Sequence, residues 1–160
     1  MANERSSDTA GISILPPFIY LGGLVVGYLL QFIWWIPILP GSLAIVARVL
    51  GVVVLLAGGW LMLTAIDMFR RLGTPPDPHE PTTALATDGP YRFTRNPMYL
   101  GMAAVLGGLA LLGDALWPLL ALIPVIWWIR TQVIEREERY LEVRFGAAYR
   151  EFKGRVRRWL

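Results

Sequence analysis

Two short stretches of this sequence carry residues that could do chemistry. The first is Gly89-Pro90-Tyr91-Arg92-Phe93-Thr94-Arg95-Asn96-Pro97-Met98-Tyr99-Leu100-Gly101. It places two arginines, an asparagine and two tyrosines where a polar loop meets a long apolar run. Pro97 suits the first turn of a helix, where its missing N–H is no loss. Asn96 before it is a good N-cap. A helix starting here turns its free N–H groups and positive dipole end toward the loop, and that end can hold a carboxylate or another anion. The plainer reading is an anchor, because arginine and tyrosine gather at membrane boundaries.

The second stretch is Glu137-Glu138. Glu138 belongs to a stripe of Ile134, Glu138, Leu141, Phe145, Tyr149, Phe152, Val156 and Trp159. Spacings of three and four make that stripe one face of a helix. A carboxylate on a packed face is costly unless it is paired. Its partner is either Arg92 or Arg95, as a structural ion pair, or a cationic or hydroxyl-bearing ligand. Glu137 points about 100° away on the same helix. The two carboxylates could therefore approach different groups of one ligand.

The totals say what kind of molecule holds these groups. Of 160 residues, 55% are hydrophobic and 17% charged, whereas a soluble domain is usually about a quarter charged. The charges cluster and leave long uncharged runs, which reads as an integral membrane protein of one domain. There is no cysteine and a single histidine, His79, so no metal is expected. The net charge of +3 does not point to nucleic acid. The basic residues lie beside apolar runs, where retention on the cytoplasmic side accounts for them.

The elements that must position the two stretches follow in order. Residues 1–13 are short and polar, with no signal-peptide pattern, and are expected to be disordered. A single membrane domain over 14–160 should be all-α, with spans near 14–39, 42–69, 97–112 and 116–135. Between the second and third lies a polar loop, 71–96, with Pro75, Pro76, Pro78, Pro81 and Pro90. It is either a stiff lid or a tether. Gly113-Asp114 reads as the turn between the third and fourth spans. The third span reaches only about 25 Å at 1.5 Å per residue. Residues 136–160 continue the fourth helix as cytoplasmic C-terminal helices, with a bend or break at Gly146. The amphipathic part carries Arg136, Arg139, Arg144, Arg150, Arg155 and Arg157 on its other face, as a helix on an anionic membrane surface does. The turns at Pro40-Gly41 and Gly113-Asp114 have no Lys or Arg, so both termini should be cytoplasmic, with a bacterial inner membrane the expected location.

Counting along the hairpin brings the two stretches together. The fourth helix emerges near Glu135, on the side where the third begins. Arg95, Asn96 and Tyr99 should lie at the depth of Glu137 and Glu138. A site there has water on one side and lipid on the other. That suits an enzyme joining a soluble cofactor to a lipophilic substrate better than a channel or transporter, whose polar groups usually sit near the midplane.

At these two stretches the chain resembles the isoprenylcysteine carboxyl methyltransferase and phospholipid methyltransferase superfamily of membrane enzymes. The likeness covers Thr74 to Trp159. Its first block runs from Thr87 to Gly101; its second is Glu137-Glu138-x-x-Leu141-x-x-x-Phe145-Gly146-x-x-Tyr149-x-x-Phe152-x-x-x-Val156-x-Arg158. The resemblance implies S-adenosylmethionine as cofactor. It implies a pocket lined by Arg95, Asn96, Pro97, Tyr99, Glu137 and Glu138, with Tyr91 in the same block. Many members carry histidine at the position of Asn96. Arg95 and the helix-start N–H groups would hold the methionine carboxylate. A glutamate would take the ammonium or ribose hydroxyls, and Gly89 and Gly101 would allow close approach. The methyl acceptor would be a lipid or lipophilic small molecule. A carboxylate acceptor needs an orienting arginine, for which Arg144 is the candidate; an amine needs a proton acceptor, for which Glu138 is. Two other classes share this plan: NADPH-dependent membrane sterol or steroid reductases, and a non-catalytic membrane scaffold.

Overall fold

The structure is a computed structural model that describes residues 9, 11–12, 14–77 and 79–160. Most of the N-terminal stretch expected to be disordered lies outside the described residues. Of its described part, Ile12 is buried, and the Gly11 carbonyl accepts a hydrogen bond from Arg136 Nη1 at 3.0 Å. The described residues contain helices and no strand. These are α1 (Pro16–Ile33), α2 (Ala44–Arg71), α3 (Pro97–Leu112), α4 (Leu116–Trp128), α5 (Glu135–Phe145) and α6 (Ala147–Arg155).

Three helical stretches are long and apolar enough to cross a membrane: Pro16–Ile33, Gly41–Arg71 and Leu116–Phe145. Pro97–Leu112 is as apolar but shorter, at 16 residues. The exterior of α1 and α2 is correspondingly apolar, with Phe18, Leu29, Phe32, Leu56, Trp60 and Leu63 all exposed. Contiguous exposed surface of this kind marks contact with lipid or another apolar partner.

Small residues set the helix pairing. Gly51 and Gly58 of α2 face Gly108 and Gly101 of α3 in antiparallel register. A Cβ on Gly58 would stand 2.8 Å from the Gly101 carbonyl oxygen, and one on Gly108 would stand 2.6 Å from the Leu55 nitrogen. Such backbone-to-backbone approach is how apolar helices gain packing energy where burial from water offers little. Gly27 of α1 does the same against Pro118 of α4, with 2.5 Å from its would-be Cβ to the Pro118 Cα.

Two boundaries differ from the sequence reading. The first helix, expected to reach residue 39, ends at Ile33, and Trp34 is extended (φ −126°, ψ 90°). Asp114, in the left-handed region at φ 49°, explains why. Its Oδ1 accepts from the Ile38 and Leu39 N–H groups at 2.9 and 3.0 Å. Gln31 Nε2 donates to the Ile36 carbonyl at 2.9 Å, and that same oxygen accepts from the Leu116 N–H. The turn is held from across the chain, so no helical bonds are needed there.

The tail is the second difference. The helix expected to run to residue 160 breaks at Gly146 (φ 53°, ψ −119°), as the glycine suggested. It then ends at Arg155, and Val156 is extended (φ −117°, ψ 132°). The apolar stripe is still buried, but inside the protein. Tyr149 and Phe152 pack with Ala65, Ala86 and Tyr91, with Leu141, Phe145 and Val156 against them. Between α4 and α5 the chain forms a π-helical turn, Ile129–Ile134. Such turns insert an extra residue and re-aim the side chains that follow.

Candidate active site

The site lies at the end of the bundle where α2 finishes and α3 begins. Residues 94–96 are held by the C-terminal tail rather than by a helix cap. Arg95 N–H donates to the Arg157 carbonyl at 2.9 Å. Thr94 Oγ1 and Asn96 Nδ2 both donate to the Arg158 carbonyl, at 3.1 and 2.9 Å. Asn96 does precede α3, but its side chain makes no capping bond. It is committed to the tail, and the first turn of α3 is left without a side-chain cap.

From this frame Arg95 reaches Glu138, with Nη1 3.1 Å from Oε1. Arg158 holds the same carboxylate in a two-pronged grip, Nε to Oε1 at 2.9 Å and Nη2 to Oε2 at 2.8 Å. Of the two partners the sequence allowed, Arg95 is the one present; Arg92 is exposed. Glu137 turns aside, as its helical offset requires, and its Oε1 accepts from the Tyr99 hydroxyl at 2.6 Å. Tyr20 of α1 steadies this pair by donating to the Tyr99 carbonyl at 2.9 Å.

Arg95, Asn96, Tyr99, Glu137, Glu138 and Tyr91 all line one cavity. Phe69, Tyr149 and Phe152 supply aromatic walls. Pro75, Pro76, Asp77, Thr82 and residues 84–86 of the proline-rich loop line one side. Thr82 N–H donates to the Tyr140 hydroxyl at 3.0 Å and Thr83 N–H to Thr74 Oγ1 at 2.9 Å, which pins the loop at two points. Asp77 also faces this cavity and holds His79, Oδ1 accepting the His79 N–H at 2.9 Å.

The cavity keeps buried polar atoms without partners. The Tyr91 hydroxyl and Arg95 Nε make no hydrogen bond, and Arg95 Nη1 has only its ion-pair contact with Glu138. Burial, and after it the charge of Glu137, raises the Tyr91 phenol, so it stays a protonated donor at neutral pH. Burial pushes the Tyr149 phenol up to about 12, helped by Glu138 and opposed by Arg95. The hydrogen bonds and charge of Glu138 raise Arg158 above its ordinary value against a desolvation cost.

Four sequence candidates fall outside the cavity lining. Gly101 meets α2: its would-be Cβ stands 2.8 Å from the Gly58 carbonyl oxygen, so its small size serves helix packing. Gly89 turns the chain at φ 57° beside Met68, and Pro97 is buried at the start of α3. Arg144 is exposed and lies over the Tyr140 ring, 5.9 Å from its centroid. Asp77 and Phe69 were not singled out from the sequence, because nothing local marks a loop aspartate or a helix-end phenylalanine as cavity-facing. Arg158 stood in the second block without a role. Among the described residues no group of three or more His, Cys, Asp or Glu could hold a metal ion.

These features define an all-helical protein with membrane-length apolar helices and, at one end, a covered cavity of mainly apolar walls into which a few charged and phenolic side chains are brought together. Residues 46–148 match the phospholipid methyltransferase family, more than half of the chain, and the chain belongs to that family. It is 38% identical over 73 residues to the protein-S-isoprenylcysteine O-methyltransferase of Schizosaccharomyces pombe, a match covering 45% of this chain and 30% of that protein. The chain thus aligns with less than a third of that relative's length. It is 46% identical over 65 residues to an uncharacterized protein of Haemophilus influenzae, covering 39% of this chain and all of the other. No solved structure matches it.

Proposed function

We propose that this protein transfers a methyl group from S-adenosylmethionine to a lipophilic carboxylate or amine at the cytoplasmic surface of a membrane. The observation that carries the proposal is the pair of unpartnered donors, the Tyr91 hydroxyl and Arg95 Nε, in one cavity with Glu137. A buried donor left unsatisfied costs about 1–3 kcal/mol. A ligand with a carboxylate near a cationic group removes that cost, and the amino-acid end of S-adenosylmethionine has both. Family membership supports the reaction class, and the isoprenylcysteine methyltransferase relative supports a lipophilic acceptor.

In this reading Arg95 and Tyr91 donate to the ligand carboxylate. Glu137 takes its ammonium, with Tyr99 holding the glutamate in place. Phe69, Tyr149 and Phe152 and the Pro75–Ala86 cover keep water from the reacting centre, where positioning and exclusion of solvent supply much of the rate. S-adenosylmethionine supplies an electrophilic methyl group on sulfonium. For an amine acceptor Glu138 is a poor proton acceptor, since its two oxygens already accept from Arg158. For a carboxylate acceptor no base is needed. Glu138 acts on the cavity through Arg95, and Arg144 orients nothing in it.

The topology proposed has four spans. Pro97–Leu112 joins the three longer stretches because its glycines seat it along α2 at the same depth. Both termini are cytoplasmic, since the far turns lack Lys and Arg. The test is transfer of labelled methyl from S-adenosylmethionine into a total lipid extract. The proposal expects a labelled product that E137Q reduces at least tenfold. Folded protein with no labelled product in any extract contradicts it.

A further inference from the structure

We infer that Arg158 is a positioning residue, and that the tail from Val156 to Trp159 is the template on which the cavity's arginine is set. The inference rests on the methyl-donor reading of the cavity and concerns residues beyond position 148, where the family match ends.

The geometry runs through three linked contacts. Val156 packs against the Tyr149–Phe152 cluster, while Trp159 packs against the separate cluster that contains Tyr20, Tyr99 and Ile134. Val156 is extended and the chain bends at Arg158, and one short strap thus reaches both clusters. Held there, its Arg157 carbonyl accepts the Arg95 backbone N–H, and its Arg158 carbonyl accepts from the Thr94 hydroxyl and the Asn96 side-chain amide. Its Arg158 guanidinium grips Glu138 with two hydrogen bonds, and Glu138 in turn sits 3.1 Å from Arg95 Nη1. Arg158 itself does not line the cavity.

The charge balance explains why such a relay is needed. Glu138 is buried and lies between two guanidiniums. With Arg95 alone, the carboxylate would be free to take all of the arginine's donors and draw them away from a ligand. A two-pronged guanidinium grip fixes both oxygens in one orientation, which a point charge cannot do. Arg158 therefore satisfies Glu138 from outside, so that Arg95 meets the carboxylate through Nη1 alone and keeps Nε for the cavity. Glu135, 3.6 Å from Arg158 Nη1, balances the outer guanidinium.

The test is calorimetric binding of S-adenosylhomocysteine to the full chain in detergent. R158A should weaken binding at least tenfold in protein that remains folded by circular dichroism. R158K should recover part of that loss but stay at least threefold weaker than wild type. Because Arg158 acts through Glu138, E138Q/R158A should bind within twofold of E138Q. Wild-type affinity in folded R158A, or losses that multiply in the double variant, overturns the inference. Should R158A not fold, R158K decides, and wild-type affinity there overturns the inference. Absence of binding by the wild-type chain instead removes the methyl-donor reading itself, with this inference along with it.

Discussion

The two ends of this helical bundle bury polar side chains to opposite effect. At the end holding the 34–43 and 113–115 turns, every buried polar side chain has a backbone partner. Asp114 accepts two N–H groups, and Gln31 both donates to Ile36 and accepts from Trp117 N–H at 3.4 Å. At the other end, Tyr91 and Arg95 are buried with donors left over. The first arrangement ties the two turns together and offers a ligand nothing. The second carries an energetic cost in the protein alone, which is the mark of a site completed by something else. Burial of polar groups therefore does not identify the site; incomplete pairing does.

Substitutions at the two ends should part along this line. The largest effect expected is at the satisfied end. Asp114→Ala strands two half-buried N–H groups, each worth about 1–3 kcal/mol, so thermal unfolding in detergent should show a loss of about 3 kcal/mol. The affinity of the remaining folded protein for S-adenosylhomocysteine should stay within twofold. Between the ends, Gly108→Ala drives a methyl into the backbone of α2 and should cost about 1–3 kcal/mol, again read by unfolding and again without a change in affinity. Tyr91→Phe reverses the pattern. It removes an unpaired buried hydroxyl, so stability should hold or rise slightly, while ligand affinity falls about tenfold, or about 1.4 kcal/mol. A stability loss with no change in affinity would show that the phenol is structural and would erase the contrast between the ends. Smallest of all, Arg144→Ala should change methyl transfer by less than twofold, since its side chain is exposed. A larger loss would bring Arg144 back as the group that orients the acceptor.

What the sequence made legible follows from what is local. Pro97 suits the first turn of a helix, and Gly146 breaks one, so both boundaries were readable. Glu138 interrupts an apolar stripe, which announces a buried carboxylate in need of a partner. Arg95 could be named as one candidate from the depth count along the hairpin. The end of α1 at Ile33 was hidden, because it depends on Asp114, 75 residues from Leu39. The use of Gly101 was hidden too: a glycine at a close approach looks the same whether it meets a ligand or another helix. Arg158 was obscured by its neighbours. In a helical tail it is one more basic residue beside Arg155 and Arg157. Only the switch to extended backbone at Val156 turns it inward while Arg157 stays exposed. Asp77 sits in a loop whose path is set by bonds to Tyr140 and Thr74, and no periodicity reports on such contacts.

The central claim is that the unpaired donors of Arg95 and Tyr91 await the amino-acid end of S-adenosylmethionine. Titration of the purified chain with S-adenosylhomocysteine, beside the Arg95→Ala variant and an NADPH control, tests it most directly. The account predicts saturable binding at one site, a loss of at least a hundredfold in Arg95→Ala, and no heat with NADPH. Folded wild-type protein that binds NADPH and not S-adenosylhomocysteine, or an Arg95→Ala variant that binds as the wild type does, would contradict it.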